Sequence, residues 1–256
     1  MKRSILLAAV ALGATFAAAA VSISTAGASH SWGGYHWART SNPFTLKLGD
    51  NVSSNWDAYL ATTSTDWSAS TVLDTTIVAG AAKPKNCRPS SGRVEVCNAA
   101  YGSNGWLGVA QIWISGGHIT QGTVRLNDTY FKTAAYNTPA WRNLVMCQEV
   151  GHTLGLDHQD EAFDHPNLGT CMDYTRDPST NQHPNQHDYD ELALIYAHLD
   201  TTTTLSAAAA AKGSAGLDDP GQWGRAVRSG ADGRSVLYER DLGAGQKVVT
   251  FVTWAD

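Results

Sequence analysis

The pattern of hydrophobic and polar positions changes its period several times along the chain, and these changes predict both strands and helices. Alternating or β-branched apolar positions are typical of strands, whereas an apolar run bounded by turn residues is typical of a central strand. Strands are predicted in this way over residues 44–48, 71–78, 93–97, 107–114 and 118–127. Gly116 and Gly117 separate the last two strands and predict a turn between them.

Apolar residues spaced by three or four positions predict helices elsewhere. The predicted helices cover residues 51–68, 141–155 and 186–199. Pro139 precedes the second helix at a place where a first helical turn tolerates proline. Gly155 ends the same helix, because glycine readily adopts the left-handed conformation found at helix ends.

The first 28 residues have the pattern of a secretory signal peptide. Lys2 and Arg3 precede an apolar run over residues 5–21, and Ala26 and Ala28 supply small residues before a cleavage point. A membrane anchor is the alternative, but this alanine-rich run is at the short limit for a membrane span. We therefore expect residues 1–28 to be removed and the mature protein to be secreted, extracellular and free of the membrane.

The composition changes abruptly after residue 200, which predicts the end of the main domain. Threonine and alanine dominate the segment that follows and are typical of a linker, although the alanine run could also extend the preceding helix. Apolar segments on both sides of Gly243 and Gly245 then predict a β-hairpin. The predicted organisation is a signal peptide (1–28), a main domain (29–200), a linker (201–223) and a small C-terminal hairpin extension (224–256).

Composition and charge exclude several classes of protein. A hydrophobic content of 43% is ordinary for a folded chain, so we do not expect extensive disorder. The 18 basic residues fall to 16 without the signal peptide, against 23 acidic ones, so the formal net charge changes from −5 to −7. Because the sequence has no dense basic stripe, we expect no nucleic-acid partner.

The four cysteines are interpreted in the light of the predicted export. Cys87, Cys97, Cys147 and Cys171 are even in number, as is typical of disulfides in an oxidising compartment, and three pairings are open. We prefer Cys87–Cys97, which closes a short loop rich in proline, serine and glycine, and Cys147–Cys171, which closes a longer one. Zinc thiolates are the alternative, but the spacing matches no zinc-finger pattern.

The sequence Q-E-V-G-H-T-L-G-L-D-H at residues 148–158 carries the candidate chemistry. Gln148 and His152 are four residues apart and would project from one face of the second predicted helix, so both could contact one metal ion. Glu149 lies one step around the helix, where its carboxylate could reach a water on that ion. The turn after the helix would bring His158 back as a further ligand. Two or three protein ligands, a carboxylate and an open position are typical of a hydrolytic zinc site.

This segment resembles the metzincin metalloprotease signature H-E-x-x-H-x-x-G-x-x-H, with Gln148 in place of the first histidine. The gametolysin-like metzincins share the form that begins with glutamine. The sequence G-T-C-M-D-Y at residues 169–174 resembles the Met-turn of the family, in which Met172 would form an apolar floor under the metal. The resemblance extends over residues 44–199, and secreted bacterial matrixin-like proteases look most similar. It implies an α+β fold with a twisted mixed β-sheet, an active-site helix, a Met-turn and a C-terminal helix.

The resemblance also implies that the main domain is a catalytic domain, namely a zinc-dependent endopeptidase acting on protein or peptide substrates. One catalytic Zn²⁺ would be held by His152, His158 and Gln148. Glu149 would act as the general base that takes a proton from the metal-activated water. Tyr174 would serve as an extra ligand or an oxyanion donor, with a core or rim tyrosine as the alternative. Residues 118–127 would form the edge strand along which an extended peptide adds.

The glutamine at position 148 keeps a second function open. A neutral amide oxygen is a poorer zinc ligand than imidazole, so the chain could also be a catalytically inactive metzincin-like pseudoenzyme that acts as an extracellular binding protein. We interpret the acidic run beside the motif as a solvated loop, with a Ca²⁺ site as the alternative. This run consists of Asp157, Asp160, Glu161 and Asp164. We expect the protein to be a monomer.

Overall fold

A computed structural model of the chain describes residues 29–206, 219–230 and 232–255. The predicted signal peptide and residues 207–218 of the predicted linker lie outside the described residues. The strands are β1 (His36–Trp37), β2 (Phe44–Asn51), β3 (Leu73–Ala79), β4 (Arg93–Ala99), β5 (Trp106–Ser115), β6 (His118–Asn127), β7 (Arg225–Ser229), β8 (Ser235–Gly243) and β9 (Gln246–Trp254). The helices are α1 (Asp57–Trp67), α2 (Asp128–Phe131), α3 (Pro139–Thr153) and α4 (Gln186–Ile195).

The strands pair into one mixed sheet in the order β3-β2-β4-β6-β5-β9-β8-β7, with β1 paired to the start of β6. The pairs within the first half, from β3 to β6, are parallel, whereas those from β6 through β5 and β9 to β7 are antiparallel. A mixed sheet with a few helices confirms the predicted α+β class. The predicted strands and the three longer helices are all present, with ends that differ by several residues at most.

The main hydrophobic core lies between the sheet and the helices α1 and α3. Along β9, side chains alternate between the two faces of the sheet, as in any strand. Val249 and Phe251 belong to the main core, whereas Val248 and Val252 belong to a smaller cluster with Trp106. The strand β9 is therefore buried on both faces, and the C-terminal strands continue the sheet of the main domain.

The expectation that residues 118–127 form an edge strand is wrong. These residues form β6, which lies inside the sheet between β4 and β5. The Gly116–Gly117 turn folds the chain so that β5 pairs along the outer side of β6. The outer side of β5 is in turn paired with β9, from Trp106 opposite Trp254 to Ser115 opposite Gln246.

Both preferred disulfide pairings are confirmed. Cys87 is bonded to Cys97, and Cys147 of α3 is bonded to Cys171 in the loop before α4. The second disulfide ties α3 to the segment that contains the predicted Met-turn.

No helix in the described part of the chain is long and apolar enough to cross a membrane.

Candidate active site

The helix α3 carries three of the predicted site residues on its buried side. Thr138 caps its N-terminus by accepting a hydrogen bond from the backbone N–H of Trp141. Gly155 follows its C-terminus with φ of +101°, and a side chain there would collide with the backbone of Tyr35. Glycine is therefore required where the chain reverses, and the reversal brings His158 back to α3.

The imidazoles of His152 and His158 meet edge to face, with their Nε2 atoms 3.0 Å apart. The Nδ1 atom of His152 lies 2.9 Å from the carbonyl oxygen of Leu156, and that of His158 lies 3.1 Å from a carboxylate oxygen of Glu161. Both acceptors place the proton of a neutral imidazole on Nδ1. Two unprotonated Nε2 atoms therefore face each other, and their lone pairs repel unless a proton or a metal ion lies between them.

This spacing fits a zinc ion. Ligands bound about 2.0–2.1 Å from a tetrahedral zinc ion are separated from one another by about 3.3 Å. Burial and the neighbouring His158 hold the pKa of His152 well below its usual range, so the imidazole is in the neutral form that binds metals.

Glu149, on the same helix as His152, is fully buried. Among the residues that the structure describes, no donor forms a hydrogen bond of good distance and angle with either of its carboxylate oxygens. Burial raises the pKa of its carboxyl to about 8, although the nearby Thr253 hydroxyl and the Ala110 backbone offset part of that effect. The side chain lies against Gly108 of β5, where a methyl group would collide with it. A buried carboxyl with so little hydrogen bonding is costly, and such a group fits a site that gains a cation.

Gln148 is also buried on α3, but both ends of its amide are engaged. The amide nitrogen donates to the carbonyl of Cys171 at 2.8 Å, and the amide oxygen accepts from the hydroxyl of Thr253 at 2.5 Å. The oxygen that would bind zinc is thus occupied by a hydrogen bond from β9 in this conformation. The role of Gln148 as a ligand stays a prediction.

Met172 and Tyr174 lie close to α3 and His158, respectively. A Cβ atom at Gly151 of α3 would stand 2.5 Å from the sulfur of Met172, so the absence of a side chain there lets the methionine pack beneath the helix. The ring of Tyr174 packs on that of His158 with centroids 4.3 Å apart. Its hydroxyl donates to the carbonyl of Val252 at 3.1 Å. Burial raises the pKa of Tyr174 well above its usual value, so the tyrosine remains a neutral donor.

The strand β9 covers the site. Phe251 stacks on His152 with ring centroids 4.3 Å apart and planes 7° from parallel. The hydroxyl of Thr253 donates a hydrogen bond to Gln148, and the carbonyl of Val252 accepts one from Tyr174. Three consecutive residues of β9 therefore contact three predicted site residues. Sequence reasoning missed this contact, because the hairpin pattern at residues 235–254 predicts strands without indicating which strand they pair with.

The acidic run beside the site is neutralised largely by cations of the chain itself. Arg228 of β7 donates to both carboxylate oxygens of Asp157 at 2.5 Å and lies 2.9 Å from Glu161. Asp160 is paired with His165. These contacts give the alternative of a calcium site no support. They also make Arg228 a second contact between the C-terminal strands and the site, which sequence reasoning missed.

No known protein-family model matches the sequence, and no curated protein matches it significantly. Among solved structures, the chain is similar to myroilysin, at 13% identity over 62% of this chain and 82% of that one, with a TM-score of 0.36. It is also similar to high choriolytic enzyme 1, a hatching enzyme zinc-protease from the medaka fish Oryzias latipes, at 12% identity, 63% and 94% coverage and a TM-score of 0.34. A third similarity, to the GM1-bound form of the ECX AB5 holotoxin, has 17% identity, 62% and 73% coverage and a TM-score of 0.30. Scores this low carry no argument about what the chain does.

Proposed function

We propose that this protein is a secreted, metzincin-like zinc endopeptidase whose own C-terminal strands keep it latent. The observation that carries the proposal is the pair of Nε2 atoms 3.0 Å apart in His152 and His158, both oriented by acceptors at Nδ1, together with the buried carboxyl of Glu149 on the same helix as His152. Met172 beneath α3 and the following helix α4 agree with the Met-turn and C-terminal helix that the sequence resemblance implies.

The chemistry follows from the groups present. A zinc ion held by His152 and His158 would lower the pKa of an attacking water and polarise the scissile carbonyl. Glu149 would accept the proton as the water oxygen forms its bond to the carbonyl carbon, and it would then pass that proton to the amine nitrogen as the C–N bond breaks. The amide oxygen of Gln148 would become available as a third ligand once the hydroxyl of Thr253 leaves it.

The latent state rests on the position of β9. An extended peptide could add to the outer side of β5 by β-augmentation, and β9 already pairs there in antiparallel register. His152 and Glu149 are fully buried under the same strand. A substrate can reach these residues only when β9 leaves, so we propose that displacement of the C-terminal strands precedes catalysis.

The second candidate is a catalytically inactive binding protein. The observation that favours it is the side-chain amide of Gln148. Its nitrogen and its oxygen are both hydrogen-bonded, to Cys171 and Thr253, without a metal ion. In this case the C-terminal strands are a permanent part of the domain.

Loosening the C-terminal strands separates the two candidates. The double variant Phe251→Ala/Arg228→Ala removes the ring on His152 and the ion pairs with Asp157 and Glu161 while keeping the full chain. The endopeptidase proposal expects casein cleavage at least about tenfold above that of the wild type. Adding Glu149→Ala to the double variant should abolish it.

The control is Val248→Ala, which shortens a buried side chain on the opposite face of β9 and should leave cleavage unchanged. A folded, zinc-loaded double variant without cleavage would contradict the endopeptidase and favour the binding protein.

A further inference from the structure

Four metal-binding side chains converge outside the candidate active site. His36 of β1 and His118 of β6 are direct neighbours in the register of these two strands. His198 and Asp200 belong to the segment that follows α4. One potential ligand atom each from His36, His198 and Asp200 lies within 4.8 Å of the others. We call these four residues the N-terminal histidine cluster; none of them contributes to the proposed catalysis.

His36, His198 and Asp200 are close enough to share one metal ion, and His118 contacts the carboxylate of Asp200. The Nε2 atoms of His36 and His198 are 3.2 Å apart, and the Nε2 atom of His118 is 3.1 Å from a carboxylate oxygen of Asp200. The Nε2 atom of His198 lies 3.7 Å from the same oxygen as His118, whereas the Nε2 atom of His36 lies 3.5 Å from the other oxygen of Asp200. These values lie close to the separation of about 3.3 Å between ligands of a tetrahedral zinc ion.

Hydrogen bonds with neighbouring groups orient two members of the cluster, His36 and Asp200. The Nδ1 atom of His36 lies 2.8 Å from the carbonyl oxygen of Gly34, which places the proton there and leaves a lone pair on Nε2. That Nε2 atom faces both His198 and the carboxylate of Asp200, so a proton or a metal ion between them would be stabilised there. Arg39 donates to one oxygen of Asp200 at 3.0 Å, and the other oxygen faces His118 and His198.

An ion could enter this cluster from solvent. The side chain of His198 is 57% exposed and that of His118 is 34% exposed, whereas Asp200 is only 10% exposed. Three imidazole nitrogens and one carboxylate oxygen suit zinc and related transition metals, whereas calcium and magnesium prefer oxygen ligands alone.

We propose that the N-terminal histidine cluster binds a transition-metal ion, with zinc as the best fit, through Nε2 of His36 and His198 and the carboxylate of Asp200, with Nε2 of His118 as the fourth ligand. The ion would tie together three segments that are distant in sequence. The backbone N–H of Asp200 already donates to the carbonyl of Arg39 at 2.9 Å, so the ion would reinforce an existing junction. This proposal is independent of the proposed function.

The test compares zinc binding by the full chain and by His198→Ala, a substitution at an exposed side chain that should leave the fold intact. The matched control is His183→Ala, which removes an imidazole of similar exposure that is paired with Asp66. After chelation and dialysis, calorimetric titration with zinc should show about one ion fewer per chain in His198→Ala than in the wild type and in His183→Ala. The comparison uses a difference in stoichiometry, so it holds whether or not His152 and His158 also bind zinc.

Two further measurements locate the ion. Cobalt bound at this site should give the visible absorption of a tetrahedral complex. That absorption should be missing in His198→Ala. In Asp200→Asn, the affinity of the site for cobalt should be at least about tenfold lower. Zinc should also slow hydrogen exchange at the amide of Asp200 in the wild type and the control. Equal zinc stoichiometry and affinity in the wild type, His198→Ala and Asp200→Asn would overturn the proposal.

Discussion

Hydrogen bonds at Nδ1 orient three of the histidines described above. A backbone carbonyl accepts from His152 and from His36, and a carboxylate accepts from His158. The acceptor fixes both the ring plane and the tautomer, so the Nε2 atom already faces the proposed metal position in the absence of the ion. Carbonyl acceptors carry no net charge, so they orient the imidazole without adding to the charge of the site.

The substitution Gln148→His tests the residue that departs from the metzincin signature. A third imidazole should tighten zinc binding at this site by at least about tenfold, because imidazole is a better zinc ligand than a neutral amide oxygen. The metal-free variant should lose about 1–3 kcal/mol of stability, since the partners Cys171 and Thr253 lose their hydrogen bonds in a buried place. Calorimetric zinc titration and urea unfolding measure the two effects.

The two candidate functions are separated by the activity of Gln148→His when it is combined with the double variant Phe251→Ala/Arg228→Ala, which we call the loosened background. An endopeptidase should retain cleavage with the added histidine, whereas an inactive relative should gain zinc without turnover. Zinc affinity equal to that of the wild type would show that position 148 does not face the metal.

Gly108 makes room for Glu149, the proposed general base. Substitution with alanine would place a methyl group against the carboxylate of Glu149 and 2.7 Å from Cγ1 of Val145. We expect Gly108→Ala to lower cleavage in the loosened background by about 10²-fold, because small displacements of a catalytic group have large effects on rate. Gly122→Ala is the control, since its methyl group would meet Val94 at 3.0 Å, away from Glu149. Equal cleavage by the two variants would contradict the role of Glu149.

At the scale of elements, local signals predicted more than non-local ones. Pro139 and Gly155 bound α3 because the first fits a helical start and the second fits a left-handed helix stop. The turn at Gly116 and Gly117 is equally local. The pairing of β9 with β5 could not be predicted, because an alternating pattern indicates which face is buried and says nothing of the partner strand.

The same division applies to the candidate sites. Gln148, Glu149, His152 and His158 are close in sequence, so their spacing alone suggested a common site. The N-terminal histidine cluster joins residues from positions 36 to 200, and its members meet only because β1 pairs with β6 and the segment after α4 returns to Arg39. A histidine that does not lie at a recognisable metal-ligand spacing from other ligands cannot be predicted as a metal ligand from a single sequence.

The two disulfides should differ in their effect on the candidate active site. Replacing Cys147 and Cys171 by serine frees α3 from the loop that holds Met172, and it should both destabilise the fold by about 2–4 kcal/mol and weaken zinc binding at His152 and His158. Replacing Cys87 and Cys97 removes a bond that is not connected to α3, so it should affect stability alone. Urea unfolding and zinc titration of the two double variants check this. Equal zinc affinity in both would contradict the proposed support of the site by the second disulfide.

At the scale of the whole molecule, the C-terminal strands are joined to the main domain by contacts of two kinds. β9 adds a full antiparallel ladder and buried apolar side chains, whereas β7 contributes the charged contact of Arg228 with Asp157 and Glu161. The charged contact lies at the rim, where the side chain of Arg228 is 29% exposed. Opening of the C-terminal strands is therefore expected to begin at this rim, because exposed ion pairs contribute less than buried apolar surface.

Arg228→Ala should increase this opening without unfolding the protein. Loss of a partly exposed bidentate ion pair costs about 1–2 kcal/mol, which shifts the opening equilibrium about 5- to 30-fold toward the open state. Hydrogen exchange at the amides of β9 and of the outer side of β5 should accelerate by that factor, while exchange in β2 and β4 should not change. Arg225→Ala removes an exposed cation from the same strand and serves as the control. Acceleration throughout the sheet would mean that the C-terminal strands and the main domain open as one unit, and a latent endopeptidase released by strand displacement would then be excluded.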